Sequence, residues 1–172
     1  MKDQARFKAS FERAEAILER EPERGQKTGK TKVRLGEGYL CHIEDGPWRF
    51  KADWDKGSGG KGEEPLPGVY GRAALGICLA IGYTAWAAKL EVPLDVVEVE
   101  IETDIDARAT FGLIDEPAGY KEIRYTVTVA SSASEDEIAR VLDKTEKHSP
   151  WHTIFSQPQK LERQIKVVEP KS

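Results

Sequence analysis

The sequence predicts an α+β protein in which antiparallel strands surround one central buried helix. Residues 72–90 form an apolar run typical of such a helix, and apolar and polar residues alternate as in β-strands within residues 32–54 and 97–130. Residues 3–20 and 134–147 show the spacing of amphipathic helices. With 172 residues, 39% hydrophobic and 33% charged, the chain has the length and composition of one ordinary globular domain.

Residues 1–24 are expected to form an N-terminal amphipathic helix, followed by a single domain over residues 30–168. The apolar positions Phe7, Phe11, Ala14 and Leu18 lie on one helical face. Pro22 ends this helix, and a polar, basic linker follows. The linker contains Gly-Lys-Thr, but Arg24 stands where a phosphate-binding loop needs its first glycine, which excludes that motif.

Residues 32–54 are predicted to form a β-hairpin with its turn at residues 44–47. Cys41 falls on the same face as Tyr39 and Ile43 and is interpreted as a core cysteine, because free cysteines are among the most buried residues. The glycine-rich residues 55–68 then lead to the central helix. They lack the preceding strand and spacing of a dinucleotide-binding loop.

The central helix is expected to be buried on nearly every side. Its strongly polar side chains are Arg72, Thr84 and Lys89. At about 1.5 Å per residue its apolar middle reaches about 24 Å, short of the roughly 30 Å of a bilayer. The three glycines Gly71, Gly76 and Gly82 weaken a helix and predict that another element packs closely against it. Cys78 is its chemically distinctive residue.

The second half of the chain is predicted to contain an antiparallel strand pair and two further helices. In the first strand, Val97, Val99 and Ile101 alternate with glutamates, and we interpret the glutamates as a solvated face. Residues 121–130 form the second strand, in which Arg124 is able to lie opposite a glutamate. A capping box at Ser134 and Glu137 starts one helix.

Ser149 and Pro150 start the last helix, as cap and first helical residue. Beyond it, Leu161, Ile165 and Val167 suggest a closing strand, followed by a short polar tail.

Charge and composition exclude several function classes. A net charge of -4 and a pI near 5.5 argue against binding to nucleic acid or to an anionic membrane. No leader segment is recognisable, so we expect a cytoplasmic protein. Two cysteines are too few for a disulfide scaffold and have no metal-ligand spacing, so we expect neither a metal nor another cofactor.

Four stretches together resemble the OsmC/Ohr family. They are KADWDKGSGGKGEEPLPG, RAALGICLAIGY with Cys78, EKHSPWHTIF with Ser149, and QKLERQIKV. The resemblance runs from about Lys32 to Val167. It implies an α+β fold in which two chains intertwine as a homodimer, with the central helices back to back and strands contributed across the dimer.

The resemblance also implies a chemistry. Family members that are enzymes reduce organic hydroperoxides or hydrogen peroxide through a thiolate, which becomes a sulfenic acid and is captured by a second cysteine. By position Cys78 is the peroxidatic thiol, and Ser149 occupies the position of the second cysteine. The family's glutamate is unmatched at residues 67–69. A thiolate in apolar surroundings needs a nearby cation.

Four arginines are candidates for that cation. Arg72 lies about 240° around the helix from Cys78, so it would have to bend back, and Arg34, Arg49 and Arg124 are candidates from the strands.

Three hypotheses about function follow. In the first, Cys78 works as a thiol peroxidase, and an external thiol or Cys41 resolves its sulfenic acid. In the second, the dimeric fold has lost the chemistry and binds a small apolar ligand or serves as a stress-related module. In the third, Ser149, His152 and Asp143 form a hydrolase site, although Ser149 is better explained as a helix cap.

Overall fold

The computed structural model describes residues 3–169. Their helices are α1 (Gln4–Arg20), α2 (Pro67–Lys89), α3 (Ala107–Thr110), α4 (Glu135–His148) and α5 (Pro150–Ser156). Their strands are β1 (Thr31–Leu35), β2 (Cys41–Asp45), β3 (Trp48–Ala52), β4 (Val96–Asp104) and β5 (Glu122–Ala130). Strands β1–β3 form one antiparallel sheet and β4–β5 another, which confirms the α+β class with antiparallel sheets.

The first sheet has one strand more than the predicted hairpin. The expected turn joins β2 to β3, where Asp45 lies opposite Trp48. Residues 36–40 form a second turn, closed by a 2.7 Å hydrogen bond from the Gly36 N–H to the Leu40 carbonyl oxygen. Gly38 has a φ of 62°, which a glycine adopts without strain. The alternating pattern alone did not separate β1 from β2.

The glycine-rich loop after β3 folds around the carboxylate of Asp53. This carboxylate accepts hydrogen bonds from the backbone N–H groups of Trp54 at 2.8 Å and Lys61 at 3.0 Å. Desolvation raises its pKa, but these backbone hydrogen bonds outweigh that effect and leave the pKa below its usual value. A Cβ on Gly60 would lie 2.0 Å from the Trp54 carbonyl oxygen. Tight folding of the loop therefore explains this glycine.

One face of α2 packs on the β4–β5 pair. Leu75, Leu79 and Tyr83 are buried there against apolar residues of both strands. The strands pair in the predicted antiparallel arrangement, with Glu102 opposite Arg124. The alternate glutamates of β4 are exposed, as expected for a solvated face. This layer of helix on sheet forms a large part of the core.

The opposite face of α2 is open in the single chain, contrary to the expectation of burial on nearly every side. Ile77 is 58% exposed and Ile81 is 64% exposed. They follow Val69 and Ala73 at intervals of four residues, so these residues form a stripe along one side of the helix. We refer to Val69, Ala73, Ile77 and Ile81 as the α2 stripe.

Helix α4 packs against α2 where glycine was predicted to permit close approach. A Cβ on Gly82 would lie 2.4 Å from Cγ2 of Thr145, which is a buried residue of α4. The neighbouring Tyr83 hydroxyl donates a hydrogen bond to Glu146 at 3.1 Å. The element that requires Gly82 is therefore a helix of the same chain, whereas the family resemblance suggested the dimer partner.

The end of the chain matches the prediction only up to α5. The capping box at Ser134 and Glu137 and the Ser149 cap of α5 are both formed. The closing strand is wrong for the single chain, because residues 157–169 have no regular secondary structure. Leu161 is 92% exposed there, so its side chain does not pack on either sheet of its own chain.

Candidate functional site

Cys78 lies in the middle of α2 at the wall of a cavity of about 630 Å³. Its thiol is free and partly buried. The cavity lies between α1, α2 and the junction of α4 with α5. Its lining residues are Phe11, Ala14, Glu15, Leu18, Cys78, Ile81, Gly82, Ala85, Trp86, Thr145, His148, Ser149 and Pro150. Most of the wall is apolar, so the cavity suits an uncharged organic molecule.

Ser149 lies against Cys78 in the wall of this cavity. The two residues are 71 positions apart in the chain, and the Ser149 Oγ lies 3.2 Å from the Cys78 Sγ. Ser149 is 4% exposed and caps α5, where its Oγ accepts a 3.2 Å hydrogen bond from the His152 backbone N–H. The structure therefore brings together Cys78 and Ser149, two of the residues that the sequence predicted for the site.

The contact between Cys78 and Ser149 depends on how α2 and α4 pack. Gly82 is one turn beyond Cys78 on α2, and Thr145 is one turn before Ser149 on α4. The two helices therefore run in opposite directions, and the close approach at Gly82 is adjacent to the contact at Cys78.

Helix α1 forms a wall of the cavity that sequence reasoning did not predict. Phe11 packs against Trp86 with ring centroids 5.3 Å apart, and Lys89 lies 5.0 Å above each of these rings. Lys89 also pairs with Glu15 of α1. The apolar face of α1 was visible in the sequence, but a periodic pattern does not show which element a helix packs on.

His148 is at the rim of the cavity on the α4 side. Its imidazole stacks on Trp86, with ring centroids 5.3 Å apart and an interplanar angle of 28°. The sequence showed that His148 precedes the start of α5, but it gave no indication of the aromatic partner.

The arginines predicted as possible partners of the thiolate lie elsewhere. Arg49 is within 3.7 Å of Glu44 in the first sheet, and Arg72 donates to Thr103 at 3.4 Å on the sheet side of α2. Arg124 forms ion pairs with Asp104 and with other acidic residues of β4–β5. Arg34 is in β1, where it lies opposite His42 of β2. Within residues 3–169 no arginine or lysine lines the cavity.

Cys41 is in a different part of the fold. It lies in β2 between Leu35 and Ala52 of the neighbouring strands, whereas the cavity is lined by α1, α2, α4 and the start of α5. The single chain therefore does not bring Cys41 to Cys78.

The residues of the hydrolase hypothesis are not assembled as a catalytic triad. His152 contacts Ser149 through its backbone N–H, and its ring lies edge-on to Tyr125 at 6.4 Å. Asp143 is exposed on α4, beside Arg140 and Lys147. Ser149 consequently acts as the helix cap that the sequence predicted.

The part of the chain that the structure describes contains no group of three or more metal-ligating side chains arranged to hold a metal ion. In the same part, none of the helices has the length and hydropathy needed to cross a membrane.

Comparison with known proteins identifies the fold. A family model described as OsmC-like protein matches residues 60–163. The structure is similar to that of an OsmC-like protein from Mycoplasma pneumoniae, with a TM-score of 0.66 and 17% identity over 76% of this chain and 89% of that chain.

Two further similar structures are named organic hydroperoxide resistance proteins. The one from Legionella pneumophila has a TM-score of 0.55 and 15% identity, covering 74% of this chain and 88% of that chain. The one from Elizabethkingia anophelis has a TM-score of 0.58 and 14% identity, covering 74% and 87%. No curated protein gives a significant sequence match.

Proposed function

Because this chain belongs to the OsmC-like protein family, we propose that it reduces organic hydroperoxides with Cys78 as the reacting thiol. The observation that carries the proposal is the 3.2 Å contact between the Cys78 sulfur and the Ser149 hydroxyl at the wall of an apolar cavity. Two structural neighbours with the same fold are named organic hydroperoxide resistance proteins, which supports this reaction class.

The first step is an oxygen transfer to sulfur. The Cys78 thiolate attacks the hydroxyl oxygen of the hydroperoxide, so that an S–O bond forms as the O–O bond breaks. The released alkoxide takes a proton from water and leaves as an alcohol. The peroxide is reduced by two electrons, and Cys78 is oxidised to a sulfenic acid.

The return to the thiol requires an external reductant, because the Ser149 hydroxyl forms no disulfide. An external thiol attacks the sulfenic sulfur, water leaves, and a mixed disulfide forms. A second thiol then attacks this disulfide, which releases the oxidised reductant and restores Cys78. A low-molecular-weight or protein thiol serves as the electron donor in this proposal.

The lining of the cavity favours an organic substrate over hydrogen peroxide. Phe11 and Leu18 of α1 and Ile81 and Ala85 of α2 present apolar surface beside Cys78. Burial of an apolar substituent against this surface is favourable by about 25 cal/mol per Å². Hydrogen peroxide has no such substituent and gains nothing from these walls.

The proposal includes a homodimer. The α2 stripe is an exposed apolar surface along one side of a helix, and a second copy of this helix packed against it, as the family resemblance implies, would remove it from solvent. The apolar segment at residues 161–168 is also exposed in the single chain. A second copy could cover both surfaces.

A second candidate function is binding of a small apolar ligand without chemistry. The observation that favours it is that no lysine or arginine within residues 3–169 lines the cavity, so the single chain offers the thiolate no guanidinium or ammonium partner there. In this case the apolar cavity binds its ligand, but Cys78 does not catalyse reduction of a hydroperoxide.

Trapping of the sulfenic acid tests the proposal. A Cys41→Ser protein, in which Cys78 is the remaining thiol, is treated with one equivalent of cumene hydroperoxide and a dimedone-type probe. We expect one adduct, located at Cys78 by mass spectrometry, and consumption of hydroperoxide when dithiothreitol is supplied. The Cys78→Ser variant is the control and should give neither signal.

The absence of both adduct and hydroperoxide consumption in the folded Cys41→Ser protein would overturn the peroxidase proposal. Saturable binding of the apolar dye Nile red, weakened by Ala14→Trp in the cavity wall, would then support the second candidate. The exposed Ala16 does not line the cavity, so Ala16→Trp is the matched control.

A further inference from the structure

Ser149 has hydrogen-bonding capacity that its role as a helix cap does not use. A serine hydroxyl has one hydrogen to donate and two lone pairs that accept. In this structure one lone pair accepts the His152 backbone N–H. The hydroxyl hydrogen is free for another acceptor, and the nearest candidate is the Cys78 sulfur at 3.2 Å.

The direction of this hydrogen bond follows from the ionisation of Cys78. When Cys78 is a thiol, either group can be the donor. When Cys78 is a thiolate, the sulfur has no hydrogen and the Ser149 hydroxyl must donate. Hydrogen bonds to an ionised acceptor are stronger than those between neutral groups, so this contact is strongest in the reactive form.

We infer that Ser149 is the hydrogen-bond donor that stabilises the Cys78 thiolate. This inference rests on the proposed function only in taking Cys78 as the reacting thiol. Ser149 thus occupies the place of the family's second cysteine with a different role, supporting the nucleophile before oxidation instead of capturing it afterwards.

The surrounding structure holds Ser149 in this position. Its carbonyl oxygen accepts the Thr153 N–H at 3.0 Å, and its side chain is nearly inaccessible to solvent. Because Gly82 has no side chain, Thr145 and the end of α4 approach α2 closely. The hydroxyl is consequently fixed before the thiol ionises, so little ordering is required when the thiolate forms.

The pH dependence of alkylation tests this inference without any peroxide. Cys78 is the reporter in a Cys41→Ser background, and its rate of reaction with iodoacetamide is measured from pH 5 to pH 10. Glu15 of α1 and His148 of α4 are titratable groups that line the same cavity, and both are unchanged in every variant that is compared. Loss of a hydrogen bond to a charged group should move the midpoint upward by about one pH unit in Ser149→Ala, which is about a tenfold lower rate near neutral pH.

Two variants separate hydrogen-bond donation from helix capping at the same position. Ser149→Thr keeps the hydroxyl and should restore the midpoint. Ser149→Gly removes the hydroxyl at little cost to the cap, which preserves the fold if Ser149→Ala proves unstable, and it adds no charge beside the sulfur. We therefore expect its midpoint to rise as far as that of Ser149→Ala.

Ser134→Ala is the matched control because it removes the serine cap of α4 at the opposite end of that helix from the contact with Cys78. It should lower the denaturation midpoint and leave the alkylation profile unchanged. An unchanged profile in both Ser149→Ala and Ser149→Gly, or an equal shift in Ser134→Ala, would overturn the inference. If Ser149→Ala raises the alkylation midpoint but the protein forms no sulfenic acid with hydroperoxide, this inference is upheld and the peroxidase proposal fails.

Discussion

The residue opposite Cys78 determines what can follow oxidation of the sulfur. A sulfenic acid beside a thiol condenses with it to a disulfide, whereas a sulfenic acid beside a hydroxyl persists until another thiol arrives. Ser149 is close enough to test this difference directly, because its Oγ lies 3.2 Å from the Cys78 Sγ.

Ser149→Cys should therefore give the chain an internal resolving thiol. After one equivalent of cumene hydroperoxide in a Cys41→Ser background, we expect a disulfide between Cys78 and the introduced thiol, seen as the loss of two hydrogens in intact mass and as loss of the dimedone adduct. Disulfide geometry allows this pairing only if the two side chains stay adjacent in solution.

Ser134→Cys is the control for that experiment, because it introduces a thiol at another serine cap, at the far end of α4 from Cys78. It should leave the dimedone adduct intact. Persistence of the adduct in Ser149→Cys as well would contradict the geometry of the site.

The sequence drew attention to Cys78 and Ser149 because each belongs to a local stretch that resembles a family motif, and their side chains lie 3.2 Å apart in the structure. It was not sufficient to place Arg49, Arg72 and Arg124. Their partners come from other strands and helices, so their positions depend on tertiary packing rather than on local pattern.

Among the helices, the packing of α4 on α2 brings Ser149 to Cys78. This packing depends on a missing side chain: a Cβ at Gly82 would come within 2.4 Å of the buried Thr145 methyl. Thr145 has little freedom to move, because its hydroxyl is bonded to the Val141 carbonyl oxygen at 2.9 Å.

Gly82→Ala should destabilise the protein by about 1–3 kcal/mol, because overpacking forces neighbouring groups off their preferred positions. The measurement is the free energy of unfolding from urea titration. Gly76→Ala is the matched control in the same helix: its Cβ would lie 3.4 Å from Ile101, an ordinary contact, so it should be neutral or stabilising by up to about 1 kcal/mol. Equal effects of the two substitutions would contradict this account of the packing.

Helix α1 shows the limit of sequence reasoning for an element. The spacing of Phe7, Phe11 and Leu18 indicated an apolar face, but the partner of that face is set by contacts such as Phe11 with Trp86 and Glu15 with Lys89. The residues of each pair are far apart in the chain, and the pattern of a single sequence does not indicate which distant residues will contact each other.

At the scale of the whole molecule, the exposed apolar surfaces of the single chain include the α2 stripe and residues 161–168. The strands β4 and β5 could be predicted because their alternation is long and regular. The segment 161–168 has a strand-like pattern as well, but in the single chain it pairs with none of the strands β1–β5.

The proposed homodimer predicts a solution mass of twice the 19.2 kDa of one chain by light scattering at micromolar concentration. Replacing both Ile77 and Ile81 with lysine should dissociate it, because two charges would be buried in an apolar interface. Leu113→Lys is the control: Leu113 is 73% exposed but lies outside the α2 stripe. A monomeric wild-type protein would contradict the proposal.

The serine opposite Cys78 also has a consequence for how long a molecule stays active before its sulfur is irreversibly oxidised. Under the proposed chemistry, each sulfenic acid waits for an external thiol while a second hydroperoxide competes for the same sulfur, and that second oxidation gives a sulfinic acid that thiols do not reverse. The ratio of reductant to hydroperoxide would then set how many turnovers a molecule completes before it is lost. Such a protein is suited to scarce oxidant and is consumed when oxidant is abundant.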